Sequence, residues 1–226
     1  MSRVLITFYW YNLKLMDAET IEFIKDWLKL GSVNIFGRPF SGKDTQGKML
    51  AKELDAMLIG GGEILRKKYD SKKIQESLNA GKLAPTKNYK TIVLPYLNDP
   101  GFSNKPLVLN SVGRWKGEEN DVIKASEESG HPLKAVILID VPENVVWERW
   151  EAHKKIMDRG LRGDDTKSAL TTRLQEYKQK TVPVINHYKG LEMLLTINGN
   201  RQPKVIFLDI INQLINFIDE SDKQYN

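Results

Sequence analysis

The chain predicts an α/β fold: three α/β/α layers around a parallel five-stranded sheet. Three observations lead there. Short apolar runs alternate with longer amphipathic stretches along most of the chain. The first clear run, Val33-Asn34-Ile35-Phe36, passes directly into the glycine-framed segment Gly37-Arg38-Pro39-Phe40-Ser41-Gly42-Lys43-Asp44-Thr45-Gln46. Finally, 226 residues at 41% hydrophobic content suffice for one substantial core. Strands joined by helical crossovers run parallel, are covered on both faces, and bind ligands outside their carboxyl ends.

Taken in order, Met1 to Leu15 carries no readable pattern. Its apolar run, Val4 to Tyr11, lacks a multiply basic start and a small-residue cleavage site, so no signal peptide is expected and the cytoplasm is the expected compartment. No segment reaches membrane-spanning length. Asp17-Ala18-Glu19-Thr20 opens a helix with acidic residues suited to its dipole. Ile21, Ile24 and Leu28 recur on one face, Phe23 and Trp27 widen the stripe, and Gly31 stops it. Residues 1–31 therefore read as an N-terminal extension and helix, 32–220 as the main domain, and 221–226 as a tail.

The strand at Val33 to Phe36 leads into a phosphate loop, and a helix follows from Thr45 to Leu54. A chain reversing around a polyphosphate needs consecutive backbone N–H groups close to the anion. Glycine sits where a Cβ would collide, and Lys43 adds a mobile positive charge. One position departs from the P-loop pattern: Asp44 stands where a Ser or Thr hydroxyl ordinarily reaches Mg²⁺.

Further strands are expected at Ala56 to Ile59, Leu107 to Asn110, Ala135 to Ile139 and Leu194 to Ile197. Helices are expected at Glu63 to Tyr69, Asp70 to Asn79, Thr86 to Asn98, Glu118 to Ser129, Glu143 to Lys155, Lys167 to Tyr188 and Pro203 to Glu220. Zero cysteines exclude disulfides and thiolate metal sites, and His131, His153 and His187 read as surface or packing residues. A net charge of +5, from 34 basic and 29 acidic residues, suits anionic ligands on a mixed surface and gives no sign of a nucleic-acid partner. The arginines are informative by position. Arg66 follows the second strand, Arg114 the third, Arg149 lies in the helix after the fourth, and Arg162 and Arg173 bracket Asp164-Asp165. Guanidinium groups grip phosphate oxygens two at a time, so several beside one phosphate loop imply two phosphorylated ligands.

From Val33 to about Phe217 the chain resembles the adenylate kinase branch of the nucleoside monophosphate kinases. The resemblance rests on Gly37 to Gln46, Gly62-Glu63-Ile64-Leu65-Arg66, Gly81-Lys82-Leu83-Ala84-Pro85, Gly113-Arg114, Arg162-Gly163-Asp164-Asp165, Arg173-Leu174, and Tyr177 through Thr181-Val182-Pro183 to Tyr188. It implies a monomeric enzyme that moves the γ-phosphoryl group of MgATP to a nucleoside monophosphate, AMP being favoured and GMP the second candidate. A nucleotide-binding sensor or interaction module of the same fold is the alternative. It further implies an acceptor-binding helical insertion at about 60–98 and a short lid at about 150–163. Gly37, Ser41, Gly42, Lys43, Asp44 and Thr45 would hold the ATP phosphates, with Arg149 and Arg201 beside the adenine. Arg66 and Arg114 would hold the acceptor phosphate, and Gly61, Lys82, Leu83, Ala84 and Glu118 would line the acceptor base pocket. Lys43, Arg149, Arg162 and Arg173 would form the catalytic set.

Several positions depart from the family pattern. His153 stands where a lid arginine is usual, with Arg159 as a substitute. Glu118 replaces a glutamine that reads the base, and Gly61 replaces a threonine. Asn110 occupies the place of an aspartate that helps hold the Mg²⁺ waters, while Asp44 replaces a glycine. The two changes suggest a carboxylate moved from the third strand to the phosphate loop. An Asp44 that caps the loop helix and faces solvent is the competing expectation.

Overall fold

The computed structural model describes residues 18–68, 72–156 and 166–224. Its sheet has five strands: β1 (Ser32–Gly37), β2 (Met57–Gly60), β3 (Leu107–Asn110), β4 (Leu133–Asp140) and β5 (Leu194–Asn198), in the order β2-β3-β1-β4-β5. Every pairing is parallel; Val33, for example, lies level with Val108 on one side and Ala135 on the other. The expected three-layer α/β/α arrangement is therefore present.

The centre of the sheet explains why β1 is buried at every position. A central parallel strand has helices on both faces, so its side chains alternate between two apolar environments rather than between core and water. Val33 and Ile35 enter the cluster made with α1 (Ala18–Leu28), α2 (Lys43–Glu53) and α10 (Pro203–Gln224), where Ile24, Leu50, Ile210 and Leu214 meet them. Phe36 points into the opposite cluster, with Leu109, Val136, Val184 and Tyr188. Asn34 also lies on β1. Its amide donates to the Val112 carbonyl at 2.7 Å and accepts the Val112 N–H at 3.2 Å, which pins the turn after β3 beside the phosphate loop.

The amphipathic stripe of α1 packs as its spacing predicts at Ile21, Ile24 and Leu28, with Trp27 beside them, but Phe23 faces outward and does not widen it. Lys134 on β4 ties it down: the ammonium donates to the Trp27 carbonyl and lies 5.3 Å from the centre of the Trp27 ring. Residues 1–17, including the unreadable start, lie outside the described residues. Among those described, no helix is long and apolar enough to cross a membrane.

The other helices are α3 (Gly61–Lys68), α4 (Lys72–Asn79), α5 (Thr86–Ile92), α6 (Glu118–Glu128), α7 (Glu143–Ile156), α8 (Lys167–Glu176) and α9 (Val182–Gly190). Three expectations need correction. The helix expected from Glu63 begins two residues earlier, because Gly60 closes β2 and Gly61 begins α3 directly. The stretch expected as one helix from Thr86 to Asn98 divides into α5 and a 3₁₀ turn, Pro95–Asn98, since Pro95 has no N–H to continue the ladder. The helix expected from Lys167 to Tyr188 is interrupted by a π turn over Tyr177–Thr181. Pro183 lacks the N–H that an α-helical carbonyl four residues earlier would accept, and the wider turn absorbs the break without ending the helix.

Candidate active site

The phosphate loop lies at the carboxyl end of the central strand, held open by what its glycines lack. A Cβ on Gly37 would stand 2.4 Å from Ser41 Oγ and 2.8 Å from the Ile139 carbonyl oxygen. Gly42 reverses the chain at φ 93°, and α2 starts on the next residue, two earlier than its apolar pattern suggests. The N–H groups of its first turn lie at the mouth of the loop, where an anion is favoured. Ser41 is fully buried, and its hydroxyl accepts the Lys43 N–H at 3.4 Å.

Lys43, Arg114 and Arg173 converge on one cavity that also touches Pro39, Leu83 and Tyr177. Burial lowers the Lys43 pKa; Asp44 opposes the shift, and the Arg173 and Arg114 guanidinium groups add to it. A cavity that brings two guanidinium groups to bear on a desolvated ammonium is built for a multiply charged anion. The Asp44 carboxylate lies beside it, 3.5 Å from Lys43 Nζ and 2.9 Å from Asn110 Nδ2. Asp44 is not the helix cap: Gly42 is, and no side chain bonds at that cap. Asn110 Oδ1 is buried without a hydrogen-bond partner among the described residues, and Thr45 is exposed on the first turn of α2.

On the other side of the loop, Arg149 spans three backbone carbonyls, donating to Phe40 at 3.2 Å, Ser41 at 2.9 Å and Gly199 at 2.7 Å. It thereby fastens the phosphate loop to the turn after β5. Arg201 follows in that turn and pairs with Asp209 at 2.5 Å, beside an open groove lined with Asn200, Gln202 and Val205.

The segment read as the acceptor pocket is gathered by side chains that sequence reasoning missed. Leu83 N–H donates to Glu176 Oε2 at 3.1 Å, and the Trp115 indole donates to the Ala84 carbonyl at 3.0 Å. Lys180 joins these anchors, pairing with Glu176 at 2.5 Å and lying 3.8 Å from the centre of the Trp115 ring. Gly81, at φ 82°, lets the segment approach α8 so closely that a Cβ would lie 2.4 Å from the Ala169 carbonyl oxygen. Lys82 is exposed, whereas Leu83 and Ala84 are buried. Where a side chain on Gly61 would start, the Tyr89 ring and hydroxyl stand 3.3 Å away. That hydroxyl accepts the Gly113 N–H at 2.5 Å. No sequence signal marks these partners, which come from separate elements.

Glu118 is buried at the start of α6. Its Oε2 accepts the N–H groups of Arg114 at 2.8 Å and Trp115 at 3.0 Å, while Oε1 has no partner of hydrogen-bonding geometry among the described residues. Burial pushes this carboxyl above the usual range, against the Trp115 and Arg114 N–H groups, the Thr86 hydroxyl and the Arg114 guanidinium, which favour the ionised form. His153 is buried, His131 bonds the Leu30 carbonyl through Nδ1 at 2.7 Å, and His187 Nδ1 lies 4.0 Å from Glu119. Arg66 is on α3, with its side chain outside the described residues; Arg159, Arg162, Asp164 and Asp165 lie outside them entirely.

Comparison with known proteins matches a family model described as adenylate kinase to residues 35–193. An adenylate kinase of Prochlorococcus marinus (strain MIT 9515) is 31% identical over 179 residues, covering 77% of this chain and 93% of that protein. That of Corynebacterium urealyticum is 31% identical over 171 residues, covering 74% and 90%. That of Chlamydia muridarum is 27% identical over 219 residues, covering 80% and 85%.

Proposed function

The chain belongs to the adenylate kinase family, and from that premise we infer that it moves the γ-phosphoryl group of MgATP to a nucleoside monophosphate, AMP before GMP. As a member it is an ATP-dependent nucleoside monophosphate kinase; the preferred acceptor and the role of each residue are our reading. The observation that carries it is the convergence of Lys43, Arg114 and Arg173 on one cavity at the mouth of the phosphate loop.

The chemistry asks little covalent work of the protein. A metaphosphate-like transition state spreads charge over equatorial oxygens, so positioning and electrostatic stabilisation supply the rate. The Gly37–Gly42 backbone, the first turn of α2 and Lys43 hold the ATP phosphates. Arg173 neutralises charge on the transferring group, with Arg162 assigned to the same task. Arg114 and Arg66 hold the acceptor phosphate, and Arg149 and Arg201 border the adenine of ATP. Glu118 Oε1, buried near the Thr86 hydroxyl, receives a donor from the acceptor base, which Leu83 and Ala84 help to enclose. Residues 60–98 act as the acceptor-binding insertion, and residues 150–163 as a short lid that excludes water. We read the enzyme as a monomer.

The donor set fits Mg²⁺. Asp44 offers a carboxylate and Asn110 an orphaned amide oxygen, both hard oxygen ligands suited to a hydrated cation. These two would hold it through its waters, and the bound ion would neutralise charge on the β- and γ-phosphates. Coupled ADP-release kinetics over AMP, GMP, CMP, UMP and dTMP test the reading. AMP should give the highest kcat/KM, and tight ATP binding with no acceptor-dependent turnover would favour a nucleotide sensor instead.

A further inference from the structure

We propose that Phe40 is a positioning residue for Arg173, its ring holding the guanidinium at the phosphate loop. The inference rests on the kinase reading for what Arg173 does, and on geometry for the rest. Phe40 has φ 58° in the middle of the loop. That is left-handed backbone, open to glycine and uncommon for a bulky side chain. Such a residue persists where its surroundings over-determine it. Here they do so from two directions.

The backbone is held by Arg149, which donates to the Phe40 carbonyl at 3.2 Å. The ring, half-buried, packs on a cluster from α7 and α8 that includes Trp150, Leu170 and Leu174. Its centroid is 5.9 Å from that of His153, with the planes at 50°. The Arg173 guanidinium carbon lies 5.9 Å from the same centroid. The ring thus joins three parts of the site that meet nowhere else in sequence: the phosphate loop, the helix carrying Arg149, and the helix carrying Arg173.

The negative face of an aromatic ring attracts a guanidinium, more strongly when both are partly desolvated. A glycine at residue 40 would accept the backbone without cost but offer Arg173 nothing. Phenylalanine accepts a strained backbone and gives the guanidinium a surface within reach of the phosphates that Lys43 holds. Pre-setting the arginine lessens the ordering needed when the transition state forms, so the effect belongs in kcat rather than in ATP binding.

Filling space and holding a cation make different demands. A plug answers to apolar volume, which leucine supplies; a cation-binding face requires an aromatic ring. The test measures kcat and ATP KM for Phe40→Leu, Phe40→Gly and Phe40→Tyr, with the Arg173 Nε–H resonance followed by NMR without nucleotide and assigned by its loss in Arg173→Lys. Leu and Gly should each lower kcat about tenfold with ATP KM changed less than about twofold, whereas Tyr should stay close to wild type. The Arg173 resonance should carry a ring-current displacement in wild type and Tyr and lose it in Leu and Gly. Phe40→Gly relieves the backbone and keeps the test open if Phe40→Leu fails to fold. Wild-type kcat in Leu, an equal loss in Tyr, or a resonance indifferent to the ring would overturn the proposal. If the wild type turns over no nucleotide, the kinase reading fails, and the resonance alone decides the contact.

Discussion

The Asn110 side-chain amide donates to Asp44 Oδ1 at 2.9 Å, joining the end of β3 to the first turn of α2. This turns the carboxylate away from the capping role that its sequence position invites, and it leaves Asn110 Oδ1 buried and without a partner among the described residues. A carboxylate so close to bound phosphates would repel them unless a cation stands between.

If Asp44 serves that cation, Asp44→Gly should raise the Mg²⁺ concentration for half-maximal activity by about tenfold, a typical effect of losing a group that orients a metal's ligands. Adding Asn110→Asp should restore part of it. Mg²⁺ titration at fixed ATP checks this, and an unaltered midpoint in Asp44→Gly would remove Asp44 from the metal site.

Lys43 gives a prediction with a sign. Burial lowers its pKa, so free enzyme loses the ammonium at a lower pH than an exposed lysine would. The alkaline fall of kcat/KM for ATP, which reports free enzyme, should begin below the ordinary lysine range. That of kcat should lie higher, because bound phosphates favour the charged form. The same shift makes the protonated group a cost to the folded protein, present at neutral pH and fading as pH rises through the lowered pKa. Lys43→Met should therefore keep or raise Tm at pH 7 while abolishing the rise in Tm that ATP produces.

Arg173 and Arg114 should separate kinetically. Arg173→Lys keeps the charge but loses the planar fork, and should lower kcat by about 10²-fold, roughly 3 kcal/mol, with modest change in ATP KM. Arg114→Ala should chiefly raise the acceptor KM. Steady-state kinetics with each substrate varied check both, and unchanged kcat in Arg173→Lys would reject its role.

Glu118 should make acceptor choice depend on pH. When ionised, its carboxylate only accepts; when protonated, it can also donate, as adenine N1 requires. Its pKa is raised by burial, so the protonated fraction grows as pH falls from neutral at a higher pH than for an ordinary glutamate. The ratio of kcat/KM for AMP over GMP should rise with it, and Glu118→Gln should flatten the profile. A ratio indifferent to both pH and the substitution would show that Glu118 does not read the base.

Much of this site was legible as sequence because its frame is made by local rules. The five strands are short apolar runs, as a sheet buried on both faces requires, and the phosphate loop announces itself through spacing between a strand and a helix. Residues brought together by packing were not legible. Nothing near Gly61 announces that Tyr89 stands against it, and nothing near Ala84 names Trp115. Periodicity does not report φ, so the left-handed Phe40 was invisible within a motif read for its glycines. Pro183 marks a break in the helical ladder, but a proline can end a helix, kink it or widen it, and packing around Tyr177 and Thr181 decides for the π turn.

The most direct measurement follows the ³¹P NMR spectrum of MgATP and AMP with the purified chain. The account predicts that the ATP γ-phosphorus and the AMP resonance decline together while ADP accumulates, with inorganic phosphate staying near its level without protein. Release of inorganic phosphate with AMP unchanged would contradict it, because the cleft would then be delivering the phosphoryl group to water.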